Sequence, residues 1–190
     1  MRCFVGIPLE CSVRDAFVDA GAAVRAADPS WSGEKWVAAE NLHITVAFLG
    51  EVEASDAAAI AERLGQALGP VRALSLPFVG VTAVPNPRRA TMLWGSYSDP
   101  DARAADLASR VALACAECGV TLQDRPFRAH VTLARTRKPR RVGEAALAAL
   151  ASSSETVPAF VSVRGVTLFS STLTKAGPRY ESLEAWTFPT

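Results

Sequence analysis

Two stretches of this chain repeat one pattern: Leu42-His43-Ile44-Thr45-Val46-Ala47-Phe48-Leu49-Gly50 and Phe127-Arg128-Ala129-His130-Val131-Thr132-Leu133-Ala134-Arg135. Each reads histidine, aliphatic, threonine, aliphatic, and together they use both histidines of the protein. Alternation with period two marks a strand with one face on a core. In the first stretch Leu42, Ile44, Val46 and Phe48 share that face, which leaves His43 and Thr45 together on the other. In the second, Phe127, Ala129, Val131 and Leu133 point inward, and His130 and Thr132 point outward. Side chains two apart on a strand stand side by side, so each segment offers an imidazole next to a hydroxyl. One His-x-Thr arises often by chance. Two copies in matching apolar frames, with no histidine left over, argue for a paired site.

The second histidine follows the first by nearly half of the 190 residues. Each motif is followed by a helix-like segment and then a strand, as in an internal duplication about a pseudo-twofold axis. The other elements fit that frame. Arg2 to Pro8 reads as an opening strand, and Val13 to Ala27 as an amphipathic helix with Ser12 placed to cap it. Ser55 to Leu68 is a second helix, stopped by Gly69-Pro70. Leu74 to Val84 reads as extended, with Pro77 implying an edge position or a bulge. Pro85-Asn86-Pro87-Arg88-Arg89 is a turn, Thr91 to Tyr97 a strand, and Asp99 to Cys118 a third helix. Gly143 to Ala151 is a short helix, Phe160 to Thr172 a strand, Lys175-Ala176-Gly177-Pro178 a turn and Tyr180 to Phe188 the closing strand. Strands pair off around helices without regular βαβ alternation, which favours an α+β fold. The expectation is bilobed: two pseudo-twofold-related, largely antiparallel sheets flanked by helices, with the active site in the cleft between them. No linker separates independent units, so residues 1–190 are expected to form one domain.

Paired imidazoles with ordinary pKa values near 6.5 can hold different protonation states at neutral pH. One can act as base while the other acts as acid, which suits displacement at phosphorus. Thr45 and Thr132 would donate hydrogen bonds to non-bridging oxygens, and Arg135 would balance the developing charge. Strict alternation puts Arg135 on the core face, so a bulge or the strand end must turn it toward the cleft, unless it forms a structural salt bridge. Arg137, Lys138, Arg140 and Arg141 make the densest basic run; it reads as a solvated loop, with contacts to a nucleic-acid backbone as the alternative because it lies beside the second motif. Phe48, Trp94 and Tyr97 lie in apolar frames and read as core, with stacking on a base as the alternative.

A net charge of +1 excludes a gross electrostatic sink for nucleic acid, so any anion site is local. The four cysteines read as free thiols in a cytoplasmic protein. Cys115-x-x-Cys118 has no second ligand pair at zinc spacing. No metal or cofactor is expected. The N-terminus lacks the pattern of a signal peptide, and no run approaches the roughly 18 apolar residues of a membrane span. No membrane partner is expected, and the protein is expected to be monomeric.

Beyond the two motifs, the chain carries Arg2-x-Phe4-Val5-x-Ile7, Leu93-Trp94-Gly95, and Ser171-x-Leu173 through Gly177-Pro178-x-Tyr180. With His43-x-Thr45-x-x-Phe48-Leu49-Gly50 and His130-x-Thr132-Leu133-Ala134-Arg135, this set resembles the 2H phosphoesterase superfamily. Within it, the details resemble the bacterial and archaeal RNA 2′,3′-cyclic phosphodiesterases, historically called 2′-5′ RNA ligases. The resemblance spans nearly the whole chain. It departs at Val46, where leucine is usual, and in the shortened Leu93-Trp94-Gly95. It implies metal-independent hydrolysis of 2′,3′-cyclic phosphate ends of RNA or nucleotides to 2′-phosphates. His43 would give a proton to the departing 3′ oxygen and His130 would activate water. The residues alone do not separate that assignment from its reverse. Reversal of hydrolysis would join a 5′-hydroxyl through a 2′-5′ bond. The alternatives are a phosphodiesterase acting on 2′-5′ oligonucleotides or ADP-ribose cyclic phosphate, and a non-catalytic RNA- or nucleotide-binding module.

Overall fold

A computed structural model describes residues 1–122, 125–175 and 177–190. The first half runs β1 (Arg2–Pro8), α1 (Cys11–Ala27), a short β2 (Lys35–Trp36), β3 (His43–Glu51), α2 (Ala54–Leu68) and β4 (Leu74–Val84). The second runs β5 (Ala90–Tyr97), α3 (Arg103–Glu117), β6 (His130–Arg140), α4 (Glu144–Ser152), β7 (Phe160–Val163), β8 (Gly165–Thr174) and β9 (Gly177–Thr187). The unit strand–helix–strand–helix–strand therefore occurs twice, as the duplicated motif implied.

All the described strand pairs are antiparallel. Two arms, β7-β4-β5-β6 and β3-β1-β8-β9, join into one nine-stranded sheet. Their junction is a single register pair, Ile44 opposite Val131, with β2 filling the rest of the β6 edge. The two expected sheets are thus the arms of one curled sheet, and the pseudo-twofold axis passes through that junction.

Apolar stripes explain where the helices sit. Val13, Phe17, Ala20 and Val24 form the buried face of α1, and Phe17 packs edge-on to Phe78 and Tyr97 of the β4–β5 pair. A Cβ at Gly95 would lie 2.4 Å from the Phe17 ring, so this strand position admits only glycine at that helix–sheet distance. Helix α3 buries Leu107, Val111 and Cys115, and packs on α2 and on β3. All four cysteines are free.

Several boundaries differ from expectation for local reasons. Ser12 lies inside α1, whose N-cap is Glu10, with no side-chain cap bond. Helix α3 starts at Arg103, and the Asp99 carboxylate accepts from the Ala104 and Ala105 N–H groups ahead of its first turn. Strand β4 is not an edge strand: it lies between β5 and β7, and its irregularity falls just past Pro77, between Phe78 and Gly80. The expected strand Phe160 to Thr172 is two strands. β7 pairs with β4 on one arm and β8 with β1 on the other, so the chain crosses between arms at Arg164. The Phe188 N–H bonds the Arg164 carbonyl, and the Ala73 N–H bonds the Pro189 carbonyl. The far ends of the two arms are thereby tied together, which curls the sheet. Of the expected turn Lys175 to Pro178, Ala176 lies outside the described residues, and Gly177 and Pro178 already belong to β9.

Candidate active site

The motif strands β3 and β6 meet where Ile44 faces Val131, both fully buried. Antiparallel register from that pair sets Thr132 across from His43 and His130 across from Thr45. All four side chains then lie on the sheet face opposite the buried aliphatics, at the junction of the arms.

Each ring is fixed by a backbone carbonyl two residues before it. His43 Nδ1–H donates to the Asn41 carbonyl at 2.7 Å, and His130 Nδ1–H donates to the Arg128 carbonyl at 2.7 Å. A carbonyl only accepts, so both Nδ1 atoms carry the proton and both Nε2 atoms are the reactive nitrogens. His43 Nε2 lies 3.0 Å from Thr45 Oγ1. The hydroxyl donates to a neutral ring and accepts from a protonated one. Once it accepts, its own proton is free for an anion.

The surroundings of the rings differ. His43 packs on Phe4 at 4.7 Å between ring centroids and meets Tyr180 edge-on at 5.5 Å. A Cβ on Gly6 would come within 3.2 Å of the His43 ring, so the missing side chain lets the imidazole lie on β1. His130 stacks on Trp94, at 3.7 Å and 23°. Burial pushes the pKa of both histidines below 6.5, partly offset by the carbonyl bonds. The charges of His130 and Arg135 push His43 further down, and those of Arg135 and Arg128 do the same for His130.

Arg135 reaches this face through the anticipated bulge. Met92, Leu93 and Trp94 of β5 pair with Arg135, Ala134 and Thr132, so Leu133 is the extra residue. Leu133 and Ala134 are consecutively buried, and Arg135 emerges exposed on the side of His130 and Thr132. Its Nη1 contacts Met92 Sδ at 3.1 Å, and its charge also lowers the Tyr180 pKa against the rise from burial. Among the described residues no carboxylate pairs with Arg135.

The first motif repeats this irregularity, which the sequence reading missed. In the β1–β3 register the partner of Val5 is Ala47 and that of Gly6 is Thr45, so Val46 is the extra residue. A second shift follows, and Phe48 is turned out of the core, 62% exposed, with Leu49 buried in its place. Phe48 therefore occupies the position in the first motif that Arg135 holds in the second. Trp94 is likewise not core, since its face covers His130; Tyr97 is buried as expected.

The basic run divides. Arg140 is a structural residue, against expectation: its Nη1 donates to Glu34 Oε1 at 2.9 Å and to the Ser30 carbonyl at 3.0 Å. Its guanidinium lies 4.5 Å from the Trp31 ring centroid. Glu34 also accepts the Arg137 backbone N–H at 2.8 Å. The side chains of Arg137, Lys138 and Arg141 remain exposed. The exposed Arg88-Arg89 turn abuts them, because the Val142 N–H bonds the Pro87 carbonyl and Ala90 pairs with Arg140.

Asn41, Gly6, Phe4 and Tyr180 also belong to the site and were missed. Asn41 acts through its backbone carbonyl, a contact no side-chain pattern announces, while its Nδ2 donates to the Pro178 carbonyl and ties the β8–β9 hairpin to the His43 loop. Tyr180 stood in a recognisable segment, but only the β1–β8–β9 pairing brings it to His43. Among the described residues no three His, Cys, Asp or Glu side chains cluster as metal ligands. No helix there is long and apolar enough to cross a membrane.

A curled antiparallel sheet with two twofold-related His–Thr pairs at its centre defines a 2H phosphoesterase. Residues 17–174 match the 2′-5′ RNA ligase superfamily, and the chain belongs to that family. It is 32% identical over 186 residues to the RNA 2′,3′-cyclic phosphodiesterase of Archaeoglobus fulgidus, covering 98% of this chain and 99% of that one. The Escherichia coli enzyme of the same name is 28% identical, covering 97% and 95%. The crystal structure of apo E. coli LigT superposes with a TM-score of 0.71 at 26% identity, covering 100% of this chain and 98% of that chain. Other structures of LigT are complexed with 3′-AMP and with NADP+.

Proposed function

We propose that this enzyme hydrolyses 2′,3′-cyclic phosphate ends of RNA or nucleotides to 2′-phosphomonoesters, with His130 as base and His43 as acid. The observation that carries the reading is the pair of twofold-related imidazoles whose Nδ1 atoms are both tied to carbonyls, leaving two Nε2 atoms for proton transfer. Water attacks phosphorus as its proton passes to His130 Nε2. The P–O3′ bond breaks as His43 Nε2–H protonates O3′. Thr45 and Thr132 donate to the non-bridging oxygens, and Arg135 balances the charge that builds there. Once O3′ engages His43 Nε2–H, Thr45 is released from the ring and its hydroxyl proton turns to the phosphate. No step requires a metal. Phe48 offers an aromatic face to the nucleoside on the His43 side, and Arg135, its equivalent across the pseudo-twofold, offers a cation to the phosphate from the other arm.

The relatives named RNA 2′,3′-cyclic phosphodiesterase support this substrate class. The LigT complexes with 3′-AMP and NADP+ fit a site for phosphorylated nucleosides. Reversal, in which a 5′-hydroxyl replaces water, uses the same groups and is disfavoured in water. We take residues 1–190 as one bilobed domain, supported by the continuous sheet. Four free cysteines fit a reducing cytoplasm.

The test is to incubate the protein with the four nucleoside 2′,3′-cyclic monophosphates, with and without EDTA, and locate the phosphate in each product. A 2′-phosphate formed equally in both conditions is expected. A 3′-phosphate, or loss of activity on chelation restored by one divalent ion, would refute the mechanism.

A further inference from the structure

Each imidazole is held by a carbonyl two residues before it, but the residues that supply those carbonyls differ. Arg128 is exposed, and its side chain makes no hydrogen bond among the described residues. Asn41 is half-buried, and its Nδ2 donates to the Pro178 carbonyl at 2.8 Å, across 137 residues of chain. The aromatic partners differ in the same way. Trp94 is fixed beside His130 by the sheet itself, since it pairs with Thr132. Tyr180 pairs with Ser171, and Ser171 with Arg2, whereas His43 pairs with Pro8 at the other end of β1.

Pro178 stands two residues further out than Tyr180. In a flat sheet it would lie roughly 25 Å along the strands from His43, at about 3.3 Å per residue. The Asn41 bond, and the 5.5 Å between the Tyr180 and His43 rings, require the β8–β9 hairpin to bend back over the face that carries the motif. The register shift between Leu168 and Phe169 supplies a bend. Beyond Ser171 the hairpin loses β1 as a neighbour, and among the described residues 172–174 and 177–179 pair only with each other. A two-stranded ribbon is marginally stable alone, so an outside tie decides where its tip rests. Phe4 shows what the bend encloses. It packs on His43 and is only 3% exposed, with Phe169 and Tyr180 over it at 5.0 and 4.9 Å between ring centroids.

We propose that Asn41 is a positioning residue for the proton donor: its carbonyl orients the His43 ring while its amide holds the hairpin tip down, so that Tyr180 closes the His43 side of the site against water. The acid role of His43 is taken from the phosphodiesterase reading above, on which this inference rests. A ring shut in this way is poorly hydrated, which disfavours the imidazolium. Burial is indeed the first cause of the lowered His43 pKa. The other groups that face this ring are Arg135 and His130 from β6 and Tyr180 from β9, while β1 and β8 present Phe4 and Phe169. Cutting the tie lets water reach His43 and leaves His130, held from the other arm, as it was.

The chain has two histidines, so NMR resolves and titrates each imidazole without any substrate. In Asn41→Ala, His43 should bind its proton at least about threefold more tightly, with its pKa moving up toward the ordinary value, while His130 stays in place. On adenosine 2′,3′-cyclic monophosphate kcat should fall about tenfold or more at nearly constant KM, since a misplaced acid affects the displacement and not binding. Asn41 does not adopt a positive φ, so alanine fits its backbone and the carbonyl bond to His43 survives. Asn41→Ser, whose hydroxyl is too short to reach Pro178, carries the test if alanine unsettles the turn. Asn41→Gln, with an amide donor on a longer arm, should recover most of both properties. In a Tyr180→Ala background, Asn41→Ala should add no further shift, because the hairpin acts on the ring through Tyr180. An unmoved His43, equal shifts of both histidines, a His43 shift with native kcat, or a further shift in the Tyr180→Ala background would overturn the proposal. A native protein inactive on cyclic nucleotides would refute the underlying phosphodiesterase reading instead, and the titration would still test how the ring is held.

Discussion

His43 sits between Phe4 and Tyr180, whereas His130 lies flat on Trp94. An aromatic face attracts a cation by roughly 0.5–2 kcal/mol, so the indole favours the imidazolium that a base becomes when it takes up a proton. This suits His130 for the water side of the proposed reaction and separates two motifs that look equivalent as sequence. Both imidazoles are held below pKa 6.5, with burial as the first cause and Arg135 acting on each. The base must be neutral and the acid protonated. A lowered His130 keeps the base active to more acidic pH, and a lowered His43 loses the acid before neutrality. The kcat/KM profile should therefore be a bell centred on the acid side of 6.5. Arg135→Ala removes a positive charge that disfavours both imidazolium forms, so both limbs should move toward alkaline pH while kcat/KM falls. Loss of activity with unmoved limbs would mean that Arg135 acts only on substrate.

At the scale of single elements, the motif strands were readable for three residues beyond each histidine. Alternation fails at Val46 and Leu133 because pairing with β1 and β5 inserts an extra residue there. The bulge at Leu133 was foreseeable, since a buried Arg135 without a partner costs too much. The bulge at Val46 was not, because Phe48 is as acceptable in a core as outside it. Arg140 illustrates the same limit: its neighbours in sequence are solvated cations, and only the fold brings Glu34 and Trp31 to it. Arg140→Ala would strand a Glu34 side chain that is 12% exposed. Destabilisation of roughly 1–3 kcal/mol is expected from losing one partner of a poorly solvated pair. Arg137→Ala, Lys138→Ala and Arg141→Ala should each stay within about 0.5 kcal/mol. Denaturant titration of the four variants checks this, and four equal effects would contradict it.

Across the whole molecule, the duplication, the α+β class and the antiparallel pairing were legible because alternation and motif spacing encode them. The crossing at Arg164 and the joining of the arms into one sheet were not, since both depend on which distant strands pair. Scale also separates the chemistry from any RNA track. At about 3.3 Å per strand residue, Arg137 lies roughly 23 Å along β6 from His130, beyond the reach of a mononucleotide. Arg88, Arg89, Arg137, Lys138 and Arg141 together form an exposed basic end next to that track. Replacing Arg137, Lys138 and Arg141 with alanine, and sparing Arg140, should weaken binding of a cyclic-ended oligonucleotide and flatten its salt dependence. Turnover of a cyclic mononucleotide should be unchanged. Equal losses on both substrates would assign the basic end to the site itself.

The central claim is that the two imidazoles act as one acid–base pair, and single-turnover kinetics of His43→Ala, His130→Ala and the double variant on a nucleoside 2′,3′-cyclic phosphate test it most directly. Each single change should lower the rate by on the order of 10² to 10⁴, the usual contribution of a general acid or base. The double change should be far less than multiplicatively worse, because both protons move in one displacement. Near-normal turnover in either single variant, or fully multiplicative losses in the double, would contradict the paired mechanism.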